Sequence, residues 1–334
     1  MTDNFEARLI EALQPIRGLA LANAIHHLFQ SGIYDSISTT PIDVAHLAAD
    51  LKLDSQRIEG FLRYLANEDI VALHDGLVTL TTKGEQFRPF RPWYELFVGG
   101  YASTFQEISA NLKGTVYASR NDRLVGVGSC GISMHDALPL VRNLLSSLSA
   151  KPTCIIDLGC GDGTFLTSLV ETYGTASGVG VDSFAPIQSS VESVTFLRCS
   201  ATEYIHSQAR ADTNNDHAGK VFLAAFLLQE ILEQEGRQAV VELVRGVLSQ
   251  AAHFAVVEVD HRPTDPSVMR HGLGLSYYNP YYLLHVITEQ RLETEQFWLE
   301  LFMEAGAKVV SKHKVNPQVD STGLEVGFLL APMR

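Results

Sequence analysis

The sequence predicts an α/β protein in which a mostly parallel seven-stranded sheet forms a large carboxyl-terminal domain, preceded by a smaller helical module. Three observations carry this. From Pro152 onward, short apolar runs alternate with helical patterns, as parallel strands joined by crossover helices require. The first of those runs, Ile155-Ile156-Asp157-Leu158, feeds directly into a glycine turn, Gly159-Cys160-Gly161-Asp162-Gly163. The last two runs follow one another without a helix between them, which a six-stranded dinucleotide fold does not need. A chain of 334 residues is long enough for one such domain and a smaller partner.

Residues 1–110 are expected to form the helical module, 111–150 a linker with pocket helices, and 151–334 the sheet domain. Phe5 to Leu28 places apolar residues at helical spacing. After Pro41, the positions Ile42, Val44, Leu47, Ala48 and Leu51 suggest a short helix. A second runs from Ser55, a residue type that caps helices, to Leu65. Ile70 to Leu80 reads as two short strands around an Asp75-Gly76 turn. Helix, helix and hairpin together make a winged-helix shape. Phe90, Trp93, Tyr94, Phe97 and Tyr101 are suited to packing or to roofing a pocket. Gly126-Val127-Gly128-Ser129 has no apolar strand before it and reads as a flexible loop. It precedes an amphipathic helix from Met134 to Leu148.

In the sheet domain, strands are expected around residues 154–157, 178–182, 194–198, 220–227, 254–260, 309–313 and 325–330. Phe165 to Tyr173 and Gln238 to Ser249 read as helices between them. A helix from Thr294 to Ala305 stops at Gly306, which suits a C-cap.

The net charge of -13 argues against a broad nucleic-acid surface, and the second helix of the small module carries Glu59 beside Arg57 with no basic run. Binding to DNA through the winged helix, as a regulator that senses a small molecule, is therefore the weaker reading. Met1 to Glu11 holds no signal-peptide core, and the longest apolar run, Val221 to Leu228, is of strand length. No membrane partner is expected and the protein is read as cytoplasmic. Cys130, Cys154, Cys160 and Cys199 match neither a zinc motif nor a secreted disulfide framework.

The glycine turn carries the sharpest chemical signal. Glycines let the backbone turn tightly and approach a ligand, presenting N–H groups and a helix start to its polar edge. The spacing is GxGxG, one residue short of the dinucleotide fingerprint. Asp157 beside the turn would repel a diphosphate but favour the amino group of a sulfonium cofactor. Asp182, closing the second strand, stands where a carboxylate accepts the ribose hydroxyls of a nucleoside. Ser200 after the third strand would flank the adenine, and Phe226 after the fourth would cover the methionine side.

On these residues, 152–334 and less sharply the whole chain resemble the class I S-adenosylmethionine-dependent methyltransferases. Within them the chain resembles the plant and bacterial O-methyltransferase-like group with an N-terminal winged-helix dimerisation domain. The run from Asp157 to Gly163 is similar to that superfamily's first motif. The resemblance implies a seven-stranded Rossmann-like sheet, S-adenosyl-L-methionine as cofactor at Asp157, Gly159, Cys160, Gly161, Gly163, Asp182, Ser200 and Phe226, and a homodimer through the N-terminal domain.

The fifth strand ends in Glu258-Val259-Asp260-His261-Arg262, and Tyr277 to His285 leads into a helix. In ordinary members of the group a general-base histidine lies near the place of His285. Adding Asp260 and His261 gives two imidazoles and a carboxylate, a set suited to iron or zinc and to a chelating substrate. This arrangement resembles the 2-oxo acid C-methyltransferases, which act on 2-ketoarginine, phenylpyruvate or branched-chain 2-oxo acids. The resemblance implies a divalent or ferric ion on Asp260, His261 and His285, with His285 and His261 catalytic. Arg123, or groups near Ser129, would meet the substrate carboxylate. His313 is a substitute ligand, and Glu230 would orient an imidazole. The alternative is a metal-independent O-methyltransferase using His285 as a simple base. His253 and His271 read as loop or surface residues.

Overall fold

Asp43 and Asp54 set the helices of the small module. Each turns a carboxylate back onto the first turn of a helix, accepting the N–H of His46 and of Arg57, both at 2.9 Å. Such a cap is worth about 1 kcal/mol. The second helix is therefore capped by Asp54, one residue before the expected Ser55. A computed structural model describes residues 4–37, 40–114, 116–174, 177–211 and 219–333, with side chains omitted for 208–211. Its contacts divide the chain into two units: Met1–Ala102 with Asn121–Gly128, and Ser103–Arg120 with Ser129–Arg334.

In the first unit, α1 (Phe5–Gln30) is followed by strand β1 (Ile42–Asp43), α2 (Val44–Asp50), α3 (Ser55–Asn67) and the hairpin of β2 (Val71–His74) and β3 (Leu77–Leu80). Asp75 and Gly76 both have positive φ, as the tight turn between twisted strands requires. β1 adds to the hairpin, giving the order β1-β3-β2. Leu28, Leu47, Leu62, Leu65 and Val78 close its core. Only the last third of α1 is buried there. Phe5, Leu9, Ile10, Leu13, Ile16 and Leu19 are exposed.

The segment 126–129, expected as a loop, is instead part of α4 (Asp122–Ser133). Gly128 explains this: a Cβ there would stand 2.6 Å from the Leu96 backbone nitrogen, so the helix needs a glycine to pack so closely. Contact outweighs the loss of about 1 kcal/mol in helix propensity.

The second unit contains α5 (Ala137–Ser146), β4 (Cys154–Leu158), α6 (Thr164–Tyr173), β5 (Ser177–Val181), β6 (Val194–Leu197), α7 (Ala201–Ala211) and β7 (Lys220–Ala225). There follow α8 (Leu228–Gln234), α9 (Arg237–Leu248), β8 (His253–Val259), α10 (Asn279–His285), α11 (Glu295–Glu304), β9 (Ala307–Lys314) and β10 (Glu325–Pro332). All seven expected strands form one sheet, ordered β6-β5-β4-β7-β8-β10-β9. β10 runs antiparallel to β8 and β9, and the other neighbours are parallel.

Both faces are covered, so the strands are apolar on alternate residues of either side. Phe254 and Val256 of β8 face the core under α7, α9 and α11, while Ala255 and Val257 face the one under α5 and α6. Truncating a wholly buried member such as Phe254 to alanine costs about 3–5 kcal/mol. Among the described residues no single helix is long and apolar enough to cross a membrane.

Candidate active site

β4 lies between β5 and β7, where the strand order reverses, and the glycine turn leaves its carboxyl end. Open α/β sheets bind ligands at such switch points. Gly159, Gly161 and Gly163 have φ of 77, 52 and 79°, a region closed to most side chains. The Gly159 N–H donates to the Val181 carbonyl at 2.8 Å. Asp182 then accepts the N–H of Gly161 at 3.1 Å and of Phe184 at 2.8 Å, tying the turns after β4 and β5 together.

Asp157 is buried. Burial, and then the charge of Asp182, holds its carboxyl well above the ordinary range. A cationic ligand group would relieve both effects. Burial keeps the Cys160 thiol protonated and pushes Cys130 up to about 12, so neither is a nucleophile at neutral pH. Phe226, just past β7, takes φ of 57° and donates its N–H to Val257 at 2.9 Å. Left-handed backbone at a non-glycine residue stores strain, and such strain gathers at functional sites.

Beyond the ends of β7 and β8 opens a cleft of about 350 Å³ whose lining includes Glu233, His261, Tyr282, His285 and Gln290. His285 closes α10 and is buried. Its Nδ1 lies 2.7 Å from the Tyr281 carbonyl, which can only accept, so Nδ1 carries the proton and Nε2 the lone pair. The imidazole stacks on the Tyr281 ring at 3.8 Å between centroids. Burial pushes its pKa down to about 3, with the charges of Arg120 and His261 adding to the shift. His261 is half-buried, edge-on to Tyr282 at 4.8 Å, and burial lowers its pKa too.

Around the two imidazoles, Arg120 and the Gln290 amide both donate to Oε1 of Glu230, at 3.2 and 3.0 Å. Gln229 donates to the Phe226 carbonyl and the Tyr281 hydroxyl, both at 3.3 Å. A continuous chain thus runs from Phe226, beside the glycine turn, through Gln229 and Tyr281 to His285. Glu258 accepts the Leu228 N–H at 2.9 Å, capping α8, and burial pushes its carboxyl up to about 8.

His261 and His285 thus come together, but Asp260 does not join them. Its Oδ2 lies 3.0 Å from the Arg262 Nε, and its Oδ1 accepts the Glu295 N–H at 2.8 Å, at the start of α11. Among the described residues no group of three His, Cys, Asp or Glu side chains is gathered to hold a metal ion. The expected ligand set of Asp260, His261 and His285 is therefore not assembled. His313, the substitute ligand, is exposed on the outer strand β9 and bonded to Ser311 at 3.0 Å.

Ser200 is occupied as a helix cap. Its hydroxyl and N–H form a reciprocal box with the N–H and carboxylate of Glu203, at 3.1 and 2.9 Å. Arg123 is exposed and belongs to the first unit, while Ser129 belongs to the second, its carbonyl accepting the Ser133 hydroxyl at 2.8 Å. The sequence reading gave no role to Arg120, Glu233, Tyr282 or Gln290. The one signal available was the spacing of Gln229, Glu230 and Glu233 directly after β7.

A seven-stranded sheet in this order, with this glycine turn and a carboxylate, Asp182, just past the next strand, defines an S-adenosylmethionine-dependent methyltransferase of class I. No family model matches the chain. It is 59% identical over 330 residues, 99% of this chain and 98% of the other, to a 2-ketoarginine methyltransferase of Streptomyces arginensis. The chain belongs to that family. Among solved structures it resembles the mitomycin 7-O-methyltransferase MmcR, with a TM-score of 0.66 and 13% identity over 98% of both chains. It also resembles human N-acetylserotonin methyltransferase in complex with SAM, with a TM-score of 0.65 and 14% identity over 100% of this chain and 99% of that one. Those two likenesses establish the fold.

Proposed function

We propose that the protein methylates the β-carbon of a small 2-oxo acid, with 5-guanidino-2-oxopentanoate (2-ketoarginine) as substrate. The observation that carries this reading is the 59% identity, across nearly the whole chain, to a 2-ketoarginine methyltransferase. In the site, the glycine turn and Asp157 receive the amino-acid end of S-adenosylmethionine, Asp182 the ribose hydroxyls, and Phe226 the face toward the reacting methyl. Ser200 serves as a helix cap and contributes no side chain to the cofactor.

The cofactor brings an activated methyl group, so the protein's task is to make carbon nucleophilic and to align it. Arg120 binds the substrate carboxylate and draws electron density from the adjacent ketone. The Nε2 lone pair of His285 takes a proton from Cβ, and the C–H electrons pass into an enolate whose negative charge rests on the keto oxygen. Pairing of Arg120 with the substrate carboxylate removes one of the charges that hold His285 down, raising its basicity when the acid is bound. The enolate Cβ then forms a bond to the methyl carbon as the carbon–sulfur bond breaks, leaving S-adenosylhomocysteine and a 3-methyl-2-oxo acid. A metal ion on Asp260, His261 and His285 does not fit the carboxylate's bonds to Arg262 and Glu295, so no step runs through one.

The working unit is a cytoplasmic homodimer joined through the N-terminal winged-helix unit, a reading supported by the exposed apolar residues of α1. Activity is tested by incubating the purified protein with S-adenosylmethionine and 5-guanidino-2-oxopentanoate and examining the product by NMR. A methyl doublet coupled to H3 is expected. A methoxy singlet, or no S-adenosylhomocysteine with any 2-oxo acid, would overturn the proposal.

A further inference from the structure

Two carboxylates of α8 stand in different states, Glu233 on the lining of the cleft beside His285 and Glu230 behind that lining. Glu230 is engaged by Arg120 at 3.2 Å and by the Gln290 amide at 3.0 Å, so its charge is already balanced by a guanidinium of the protein. Glu233 lies one helical turn further along α8, half-buried, on the lining of the same cleft. Its Oε1 accepts the hydroxyl of Tyr117, a neutral donor, and among the described residues no arginine or lysine pairs with it. Tyr117 and Arg120 belong to one short segment, which the Ala118 N–H pins to the Ile287 carbonyl at 2.8 Å, close to the end of α10. The protein thus supplies one carboxylate with its cation and leaves a second, fixed by a tyrosine, facing the space the substrate enters.

Resting on the 2-oxo acid reading above, we propose that Glu233 is the specificity residue for the far end of the substrate. Its carboxylate receives the terminal guanidinium, while Arg120 and His285 handle the 2-oxo acid end. A planar guanidinium offers paired N–H donors that match the two oxygens of a carboxylate. The Tyr117 hydroxyl holds Glu233 in one rotamer, reducing the entropy lost when the substrate docks. Apolar or ureido-terminated 2-oxo acids would leave that carboxylate desolvated and uncompensated, so they are disfavoured by the absence of a cation as well as by the missing bonds.

The test compares two acids of nearly equal shape, 5-guanidino-2-oxopentanoate and its neutral ureido counterpart, in the full-length enzyme and in Glu233→Gln. The wild type should prefer the guanidino acid. In the variant the ratio of the two kcat/KM values should fall roughly tenfold or more, the loss of one charged hydrogen-bonded pair. That loss should appear in KM for the guanidino acid, because Glu233 does not touch the reacting carbon. Glu233→Asp, which keeps the charge on a shorter stem, should retain part of the preference.

A wild type that turns over the guanidino acid, with an unchanged ratio in Glu233→Gln, overturns the role of Glu233 and leaves the 2-oxo acid reading intact. So does a wild type that prefers the ureido acid. Turnover of neither acid removes the functional reading itself and the specificity proposal with it.

Discussion

The Tyr281 carbonyl accepts the Nδ1 proton of His285 at 2.7 Å, four residues back along the same helix. That bond decides which nitrogen of the imidazole carries the lone pair, and stacking on the Tyr281 ring restrains its rotation. This fixed orientation supports the base role proposed for His285.

Replacing it should therefore separate chemistry from cofactor binding. His285→Ala is expected to lose about 10²–10⁴ of turnover, the usual range for a positioned acid–base group. The dissociation constant for S-adenosylmethionine, measured by calorimetry, should stay within about threefold, because Asp182 and the glycine turn are untouched. Turnover equal to the wild type would remove His285 from the mechanism.

Asp260 should behave quite differently. Its carboxylate holds Arg262 and the first N–H of α11, and both bonds are structural. Asp260→Asn is expected to lower stability by about 1–3 kcal/mol in urea unfolding, the cost of weakening a buried charge-assisted bond. Turnover at a temperature where the variant is folded should remain within severalfold. Complete loss of turnover with an unchanged unfolding midpoint would place Asp260 in the reaction instead.

The contrast shows what a linear sequence reveals and what it hides. The seven strands were legible because both faces of the sheet are covered, so runs such as Phe254 to Val257 are apolar throughout. The glycine turn was legible because Gly159, Gly161 and Gly163 all take positive φ, a region that favours glycine. Gly128 misled for a related reason. Its helix tolerates it through contact with Leu96, and contact is invisible in sequence. Ser200 and Glu203 carried the spacing of a capping box, so that role could have been read. Asp260 could not, since nothing in Asp260-His261-Arg262 says whether the carboxylate turns toward the imidazoles or the guanidinium. Glu233 meets His261 and His285 on one cleft, and Arg120 reaches Glu230, only through folding.

The first helix offers a test of assembly. Phe5, Leu9, Leu13 and Ile16 recur along one stripe of α1 and are exposed. A contiguous apolar stripe of this kind marks an interaction surface. The double variant Leu9→Glu, Ile16→Glu should convert a dimer into a monomer in light scattering, with the far-ultraviolet spectrum preserved. A monomeric wild type, or a variant that stays dimeric, would count against the homodimer.

Stability should also depend on pH through a site away from the cleft. Asp136, Asp320 and Glu325 are buried together near Tyr278, whose hydroxyl donates to Asp320 at 2.6 Å and lies 3.0 Å from Glu325. Burial pushes Asp136 up to about 7, and burial with the charges of Asp136 and Asp320 holds Glu325 well above its ordinary range. The folded state therefore keeps protons that the unfolded chain releases near pH 4. Where the folded state binds more protons than the unfolded one, stability falls as pH rises. The stabilisation is fully present below about pH 4 and is lost as pH climbs through about 7, so the urea midpoint should be lower at pH 8 than at pH 5.5. Asp136→Asn removes one of the retained protons while keeping a side chain that can donate to Glu325, and should flatten that slope. A midpoint that rises over this interval in the wild type, or an equal slope in the variant, would show that the cluster does not govern it.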